Sequence, residues 1–319
     1  LSKNISNNEK SLKDFFNLIP KPFNLAVEAT YNWYFFIDIA ENYAEEVYLA
    51  NSYELKAFAK QHKKTDKIDA ALIASILQKG FLPVVYIADK KTREIREFLR
   101  YRINLVKDRT KNIVRLKMLL DKLGINSKGD FTTYKHLNTL KEKHNQKGLY
   151  QSVIERIIEI IFDLNKRINA LETDIKKLSY DDMDIKRLCS INGLSYFSAA
   201  LIKSELIYIE RFKSFNRLCA YAGLAPKVSQ SGKKQFNGNL NKNRRKNLRW
   251  ILIEVVYHFI NGYLDKQIKY EKIKKRKGSN IAKVVLARDL LKAVFIVLKN
   301  KRDYYIKSSL VATNALYGV

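Results

Sequence analysis

Apolar residues recur at Ile154, Ile157, Ile161, Leu164, Ile168, Leu171, Ile175 and Leu178, in alternating steps of three and four. A strand repeats every two residues, so only a helix gathers such steps onto one stripe. The segment from Tyr150 to about Leu178 is therefore predicted to be one long helix that needs a partner along its length. An antiparallel coiled coil, an intermolecular coiled coil and a helical-bundle core all fit that need. Upstream, Ile95, Leu99, Ile103 and Val106 begin a second helical pattern that runs to Leu123-Gly124, where glycine is a common helix stop. Between the two, Lys128 to Gly148 is polar and reads as a loop with a short helix.

The first 88 residues have a different texture. Asn24-Leu25-Ala26-Val27-Glu28 and Glu46-Val47-Tyr48-Leu49-Ala50 are strand candidates, and Val84 to Ile87 is a third extended piece. Helices are predicted over Trp33–Ala40, Tyr53–Lys60 and Asp66–Lys79. Strands alternating with helices imply an α/β layer with a parallel or mixed sheet. The last third reads as helical, with a Gly-bearing turn at Leu188 to Leu194 before the small residues Ser198-Ala199-Ala200. That turn is helix-hairpin-helix-like, and its N–H groups could hold a phosphate or simply close a bundle.

Charge narrows the function. The 319 residues carry 60 Lys and Arg against 32 Asp and Glu, a net charge of +28. So basic a chain calls for a polyanionic partner, and nucleic acid fits best because phosphate contacts release counterions. An AT-rich genome would enrich lysine, yet it would not clear acids from Arg211 to Ile253, a stretch with 11 Lys and Arg and no Asp or Glu. Cys189 and Cys219 form no CxxC pair, and His62, His136, His144 and His258 are scattered, which disfavours a disulfide scaffold or zinc site. No apolar run approaches 18 residues, so no membrane span is expected, and a cytoplasmic, nucleoid-associated protein is the default.

Two constellations could carry chemistry. Glu28 ends a predicted central strand, at the edge where α/β sheets gather their sites. Asp66 and Asp69 lie three apart and share one helix face. Such hard oxygen donors suit Mg²⁺, although acids in a first helical turn also complement the helix dipole. The second constellation runs from Gly223 to Arg249. It sets Ser231 before Gly232 among Lys233, Lys234, Lys242, Arg244, Arg245, Lys246 and Arg249, ahead of a helix predicted to start near Arg244. These cations are the candidate nucleic-acid contacts, and Ser231 is either a nucleophile or a loop hydrogen-bonder.

Val27-Glu28-Ala29-Thr30-Tyr31-Asn32-Trp33 followed by Lys64-Thr65-Asp66-Lys67-Ile68-Asp69-Ala70 resembles the DEDD-type transposases of the insertion-sequence one-ten family. Leu218 to Pro226, Gln230-Ser231-Gly232-Lys233 and Leu248-Arg249-Trp250 resemble its C-terminal domain. The resemblance covers nearly the whole chain in motif order. It implies a mixed, mainly α fold: a partial RuvC-like (RNase H-like) α/β DEDD domain at 1–88, a helical coiled coil at 89–180 and a mostly helical serine transposase domain at 181–319. It implies Mg²⁺ on Glu28, Asp66 and Asp69, and a covalent phosphoserine at Ser231. It also implies DNA and a structured bridge RNA as partners, with composite active sites in a homodimer or homotetramer.

The family's fourth acid, an Asp on the first β-strand, has no counterpart here, because the Glu28 strand begins 24 residues into the chain. That departure leads us to expect a chain that binds DNA and RNA but cuts DNA poorly. Two alternatives compete with an RNA-guided recombinase. One is a Holliday-junction-type nuclease using only the acids, and the other is a non-catalytic nucleic-acid-binding remnant.

Overall fold

The computed structural model describes residues 3–58, 65–125, 127–143, 148–231, 234–240 and 245–305. The chain divides into two compact units, 1–89 and 90–319.

In the first unit, helix α1 (Glu9–Asn17) precedes strand β1 (Asn24–Glu28), α2 (Trp33–Ala40), β2 (Glu46–Ala50), α3 (Ser52–Leu55), α4 (Asp66–Gln78) and β3 (Val84–Val85). The sheet order is β1-β2-β3. β1 and β2 run parallel, with Asn24 opposite Glu46 and Glu28 opposite Ala50, while β3 returns antiparallel to β2. Alternation along the strands splits the core between two faces. Leu25 and Val47 pack with Leu12, Phe16, Ile39 and Ala40 on one side. Ala26 packs with Ala50, Leu55, Ile73 and Ile76 on the other. The sheet is thus mixed. α3 is shorter than the predicted helix, whose last residues lie outside the described ones.

The second unit opens with α5 (Lys90–Lys122), α6 (Tyr134–Lys143) and α7 (Leu149–Tyr180). Leu116 and Leu120 cluster with Ile154 and Ile158, Leu105 with Leu164 and Ile168, and Leu99 and Ile103 with Ile175. That order means α5 and α7 lie side by side in opposite directions. The apolar stripe of α7 therefore finds its partner within the chain. Leu178, the last residue of the stripe, is off the seam and 67% exposed.

The remainder comprises α8 (Met183–Cys189), α9 (Tyr196–Leu206), α10 (Phe215–Tyr221), β4 (Pro226–Ser231), β5 (Lys234–Leu240), α11 (Lys246–Glu254), α12 (Val256–Asn261), α13 (Leu264–Lys277) and α14 (Ser279–Asn300). Leu286, Leu290, Leu291 and Val294 of α14 are fully buried in the largest core. Each such side chain contributes about 2 kcal/mol of apolar burial. One feature corrects the sequence reading. The basic segment read as a loop contains an antiparallel β4-β5 hairpin, with Ser231 opposite Lys234. The helix after it begins at Lys246, close to the predicted start near Arg244.

The helix-hairpin-helix-like turn between α8 and α9 serves packing. The Asn192 N–H donates to the Tyr263 hydroxyl (3.0 Å), and the N–H groups of Ile191 and Leu194 are bonded within the turn. Gly193 takes φ +93°, and a Cβ there would stand 2.7 Å from the Phe259 backbone nitrogen. Glycine is required by both the backbone and the close approach of α12. Among the described residues, no helix is long and apolar enough to cross a membrane.

Candidate functional site

The acids that sequence spacing singled out converge in the first unit. Glu28 ends β1 and is half-buried, Asp66 opens α4 and is exposed, and Asp69, one turn on, is half-buried. All three line one cleft of about 370 Å³, whose walls are β1 and the α4 side chains Ala70, Ile73, Ala74 and Leu77. α4 is capped by Thr65, whose hydroxyl accepts from the Ile68 N–H at 3.3 Å. Asp66 is therefore the first helical residue and not the cap. The donor set is hard carboxylate oxygen on two rigid elements, which suits Mg²⁺. Among the described residues, no three His, Cys, Asp or Glu side chains stand close enough to hold a metal ion as they lie.

In the second unit, the β4-β5 hairpin carries Ser231 as the last residue of β4 and Lys234 as the first of β5. Lys233, Lys242 and Arg244 lie outside the described residues. The segments that lead into and out of the hairpin meet at a buried residue, Glu205, which is 1% exposed. Its Oε1 meets the Arg100 guanidinium at 3.1 Å and accepts from Asn247 Nδ2 at 3.4 Å. Its backbone carbonyl accepts from the Tyr221 hydroxyl at 3.0 Å, which in turn accepts from Arg245 Nε at 2.8 Å. Arg249 donates to the Gly223 carbonyl at 3.1 Å. Arg245 and Arg249, both candidate phosphate contacts, thus also brace the chain on either side of the hairpin. Lys246 is exposed.

A buried charge that loses its partner costs several kcal/mol. Glu205→Gln should therefore destabilise the protein by about 3 kcal/mol, the low end of that range, because Arg100 keeps Glu97 at 2.9 Å. Urea unfolding checks this, and an unshifted midpoint would show that the network bears no weight.

Sequence reasoning missed a second basic feature. Lys272, Lys274, Lys275, Arg276 and Lys277 crowd the last turns of α13, and Gly278 links them to α14. The signal was a plain Lys/Arg-rich run, but the acid-free window ended at Ile253. Beside this run, Tyr257 Oη lies 3.1 Å from Tyr270 Oη, which lies 2.9 Å from Ser279 Oγ. Lys283 Nζ sits 4.7 Å from the Tyr257 ring centre. Hydrogen bonding to Tyr270, then to Ser279 and Lys283, brings the Tyr257 phenol down to about 8. Ultraviolet titration should show tyrosinate forming as pH rises through about 8, and Tyr257→Phe should remove that step. A first tyrosinate only near pH 10, the ordinary phenol range, would contradict it.

Residues 185–269 match the family described as Transposase IS116/IS110/IS902. Residues 1–125 match the DEDD transposase family of the IS110 type. The chain is 24% identical over 263 residues to the transposase for insertion sequence element IS1111A of Coxiella burnetii, covering 80% of this chain and 72% of that protein. It is 24% identical to the transposase for IS1328 of Yersinia enterocolitica, covering 86% and 84% of the two chains. A probable family 20 transposase of Pseudomonas aeruginosa is 23% identical, with 92% and 88% covered. The two family matches lie in the order expected from the motifs, one over the acidic cleft and one over the serine hairpin, and the chain belongs to the IS110 family of transposases.

Proposed function

We propose that this transposase cuts and rejoins DNA with two chemical centres, under the guidance of a structured bridge RNA. The first is the acidic cleft of a RuvC-like unit, where Glu28, Asp66 and Asp69 would hold Mg²⁺. The second is Ser231 at the tip of the basic hairpin. The supporting observation is that acids from two distant sequence segments line one cleft.

When bound, Mg²⁺ supplies charge neutralisation at the phosphate oxygens. Lys234, Lys246 and the neighbouring cations hold the DNA backbone on the hairpin. The Ser231 hydroxyl loses its proton as its oxygen bonds phosphorus, and a sugar oxygen departs carrying a proton. The phosphodiester energy is kept in a phosphoserine, and the sugar hydroxyl of another strand reverses the step to rejoin DNA. Pairing the serine of one copy with the acids of another makes a homodimer or homotetramer the working form, acting in the cytoplasm on nucleoid DNA.

The test incubates the protein, Mg²⁺, a cognate guide RNA and its DNA, and resolves the products on a denaturing gel. It is run on residues 1–319 and on a chain with an Asp-bearing strand added ahead of Leu1. DNA-linked protein that depends on Mg²⁺ is expected. Cut DNA without linked protein would point instead to a water-using nuclease, and bound but uncut DNA from both chains to a non-catalytic binder.

A further inference from the structure

We propose that the cleft between α11 and α14 holds one unpaired nucleotide, its base against the Trp250 indole and its phosphate on Lys246 and Lys283. This rests on the preceding reading only in that the chain binds nucleic acid; it needs neither Ser231 nor a metal.

The cleft is about 440 Å³ and is lined by Lys246, Arg249, Trp250, Ile253, Asn280 and Lys283, with no acid among its walls. The α11 residues fall at i, i+3, i+4 and i+7, one face of the helix, and Asn280 and Lys283 stand one turn apart at the start of α14. Two helix faces thus form a slot with an aromatic and apolar floor and a cationic rim. Trp250 is half-buried, with one side packed on the main core. Such an indole is a fixed platform that loses little entropy on stacking. The volume is that of a small-ligand site, too small for a duplex. In a duplex the base faces are covered by their neighbours, so only an unpaired base can offer its π-face to the indole. Phosphate is the natural counter-charge for the rim. Arg249 is held to the Gly223 carbonyl, whereas Lys246 is exposed and Lys283, which rests over the Tyr257 ring and bonds its phenol, can swing its long side chain to a phosphate at the rim. The run from Lys272 to Lys277 leads into α14 and offers a path for flanking phosphates.

The sequence contains two tryptophans, Trp33 and Trp250. Trp33→Phe leaves Trp250 as the reporter in an otherwise intact chain. The probes are oligouridylate and oligothymidylate of about ten nucleotides, within the usual range of single-strand site sizes. A blunt duplex and inorganic polyphosphate serve as comparisons. Binding is followed separately by mobility shift or by anisotropy of a labelled strand. Single strands should quench Trp250 emission on binding, polyphosphate should bind without quenching, and the duplex should quench little. The RNA and DNA arms show which strand occupies the slot, and preferential quenching by either supports it. Trp250→Leu should weaken single-strand binding by about 10-fold or more, as expected for a lost base stack. Lys283→Gln should lower the log–log salt slope by about one contact's worth. The proposal is overturned if single strands bind without changing Trp250 emission, or if polyphosphate quenches as strongly as they do. Failure of strand and duplex alike to bind would overturn the wider nucleic-acid reading as well.

Discussion

Ser231→Ala is expected to remove every covalent protein–DNA link while leaving DNA and RNA binding nearly unchanged. The side chain supplies the one oxygen assigned to the attack, and alanine offers none in its place. Losing the nucleophile of such a centre costs on the order of 10⁴-fold or more in turnover. The hairpin should survive, because the register that sets Ser231 opposite Lys234 is made by backbone hydrogen bonds. Affinity should survive too, since it comes from cations that the substitution leaves in place. Ser229, two residues earlier and opposite Phe236, is expected to be dispensable. A denaturing gel of the three proteins separates these outcomes. A persistent adduct in Ser231→Ala would remove the serine from the chemistry.

Glu28→Gln is the second large effect. The amide keeps the shape of the side chain at the end of β1 and removes one anionic oxygen from the cleft. Loss of a group that merely supports a metal ligand costs 10- to 100-fold, so loss of a ligand should cost at least about 100-fold in Mg²⁺-dependent cutting. Without metal, stability should change little, because Glu28 is only half-buried and no three acids of the described residues crowd one another as they lie. The unsubstituted protein should gain thermal stability with added Mg²⁺, because a ligand that binds only the folded state stabilises it. Glu28→Gln should lose that gain. If Glu28 were only a structural partner, the variant would be less stable without metal, and the response to Mg²⁺ would be unaltered.

What could be read from sequence follows from the strength of each local signal. β1, β2, α2, α4, α5 and α7 sit close to their predicted positions because strand alternation and helical periodicity are carried by their own residues. The partner of the α7 stripe was not legible, since the same steps of three and four serve a second chain as well as α5. The hairpin escaped because Pro226 to Leu240 has few apolar residues to alternate, and its signal was the Gly232-Lys233 pair between short polar strands. Glu28, Asp66 and Asp69 could be picked out as chemistry-bearing residues, but their sharing of one cleft is a property of the parallel β1-β2 pairing and the packing of α4. The Glu205 network was invisible, because a lone Glu in an apolar helix says nothing of the arginines that will meet it. The Trp250 cleft needs α14, which follows thirty residues later in the chain.

The most direct test of a serine-based recombinase is to find where the DNA is attached. DNA-linked protein is isolated under denaturing conditions, digested with trypsin and mapped for the nucleotide-bearing peptide. Cleavage after Lys227 and Lys233 isolates the segment from Val228 to Lys233, which contains both Ser229 and Ser231. The expected result is a nucleotide on Ser231. A nucleotide on Ser229 or on the acidified phenol of Tyr257, or efficient cutting that leaves no nucleotide on any peptide, would contradict it.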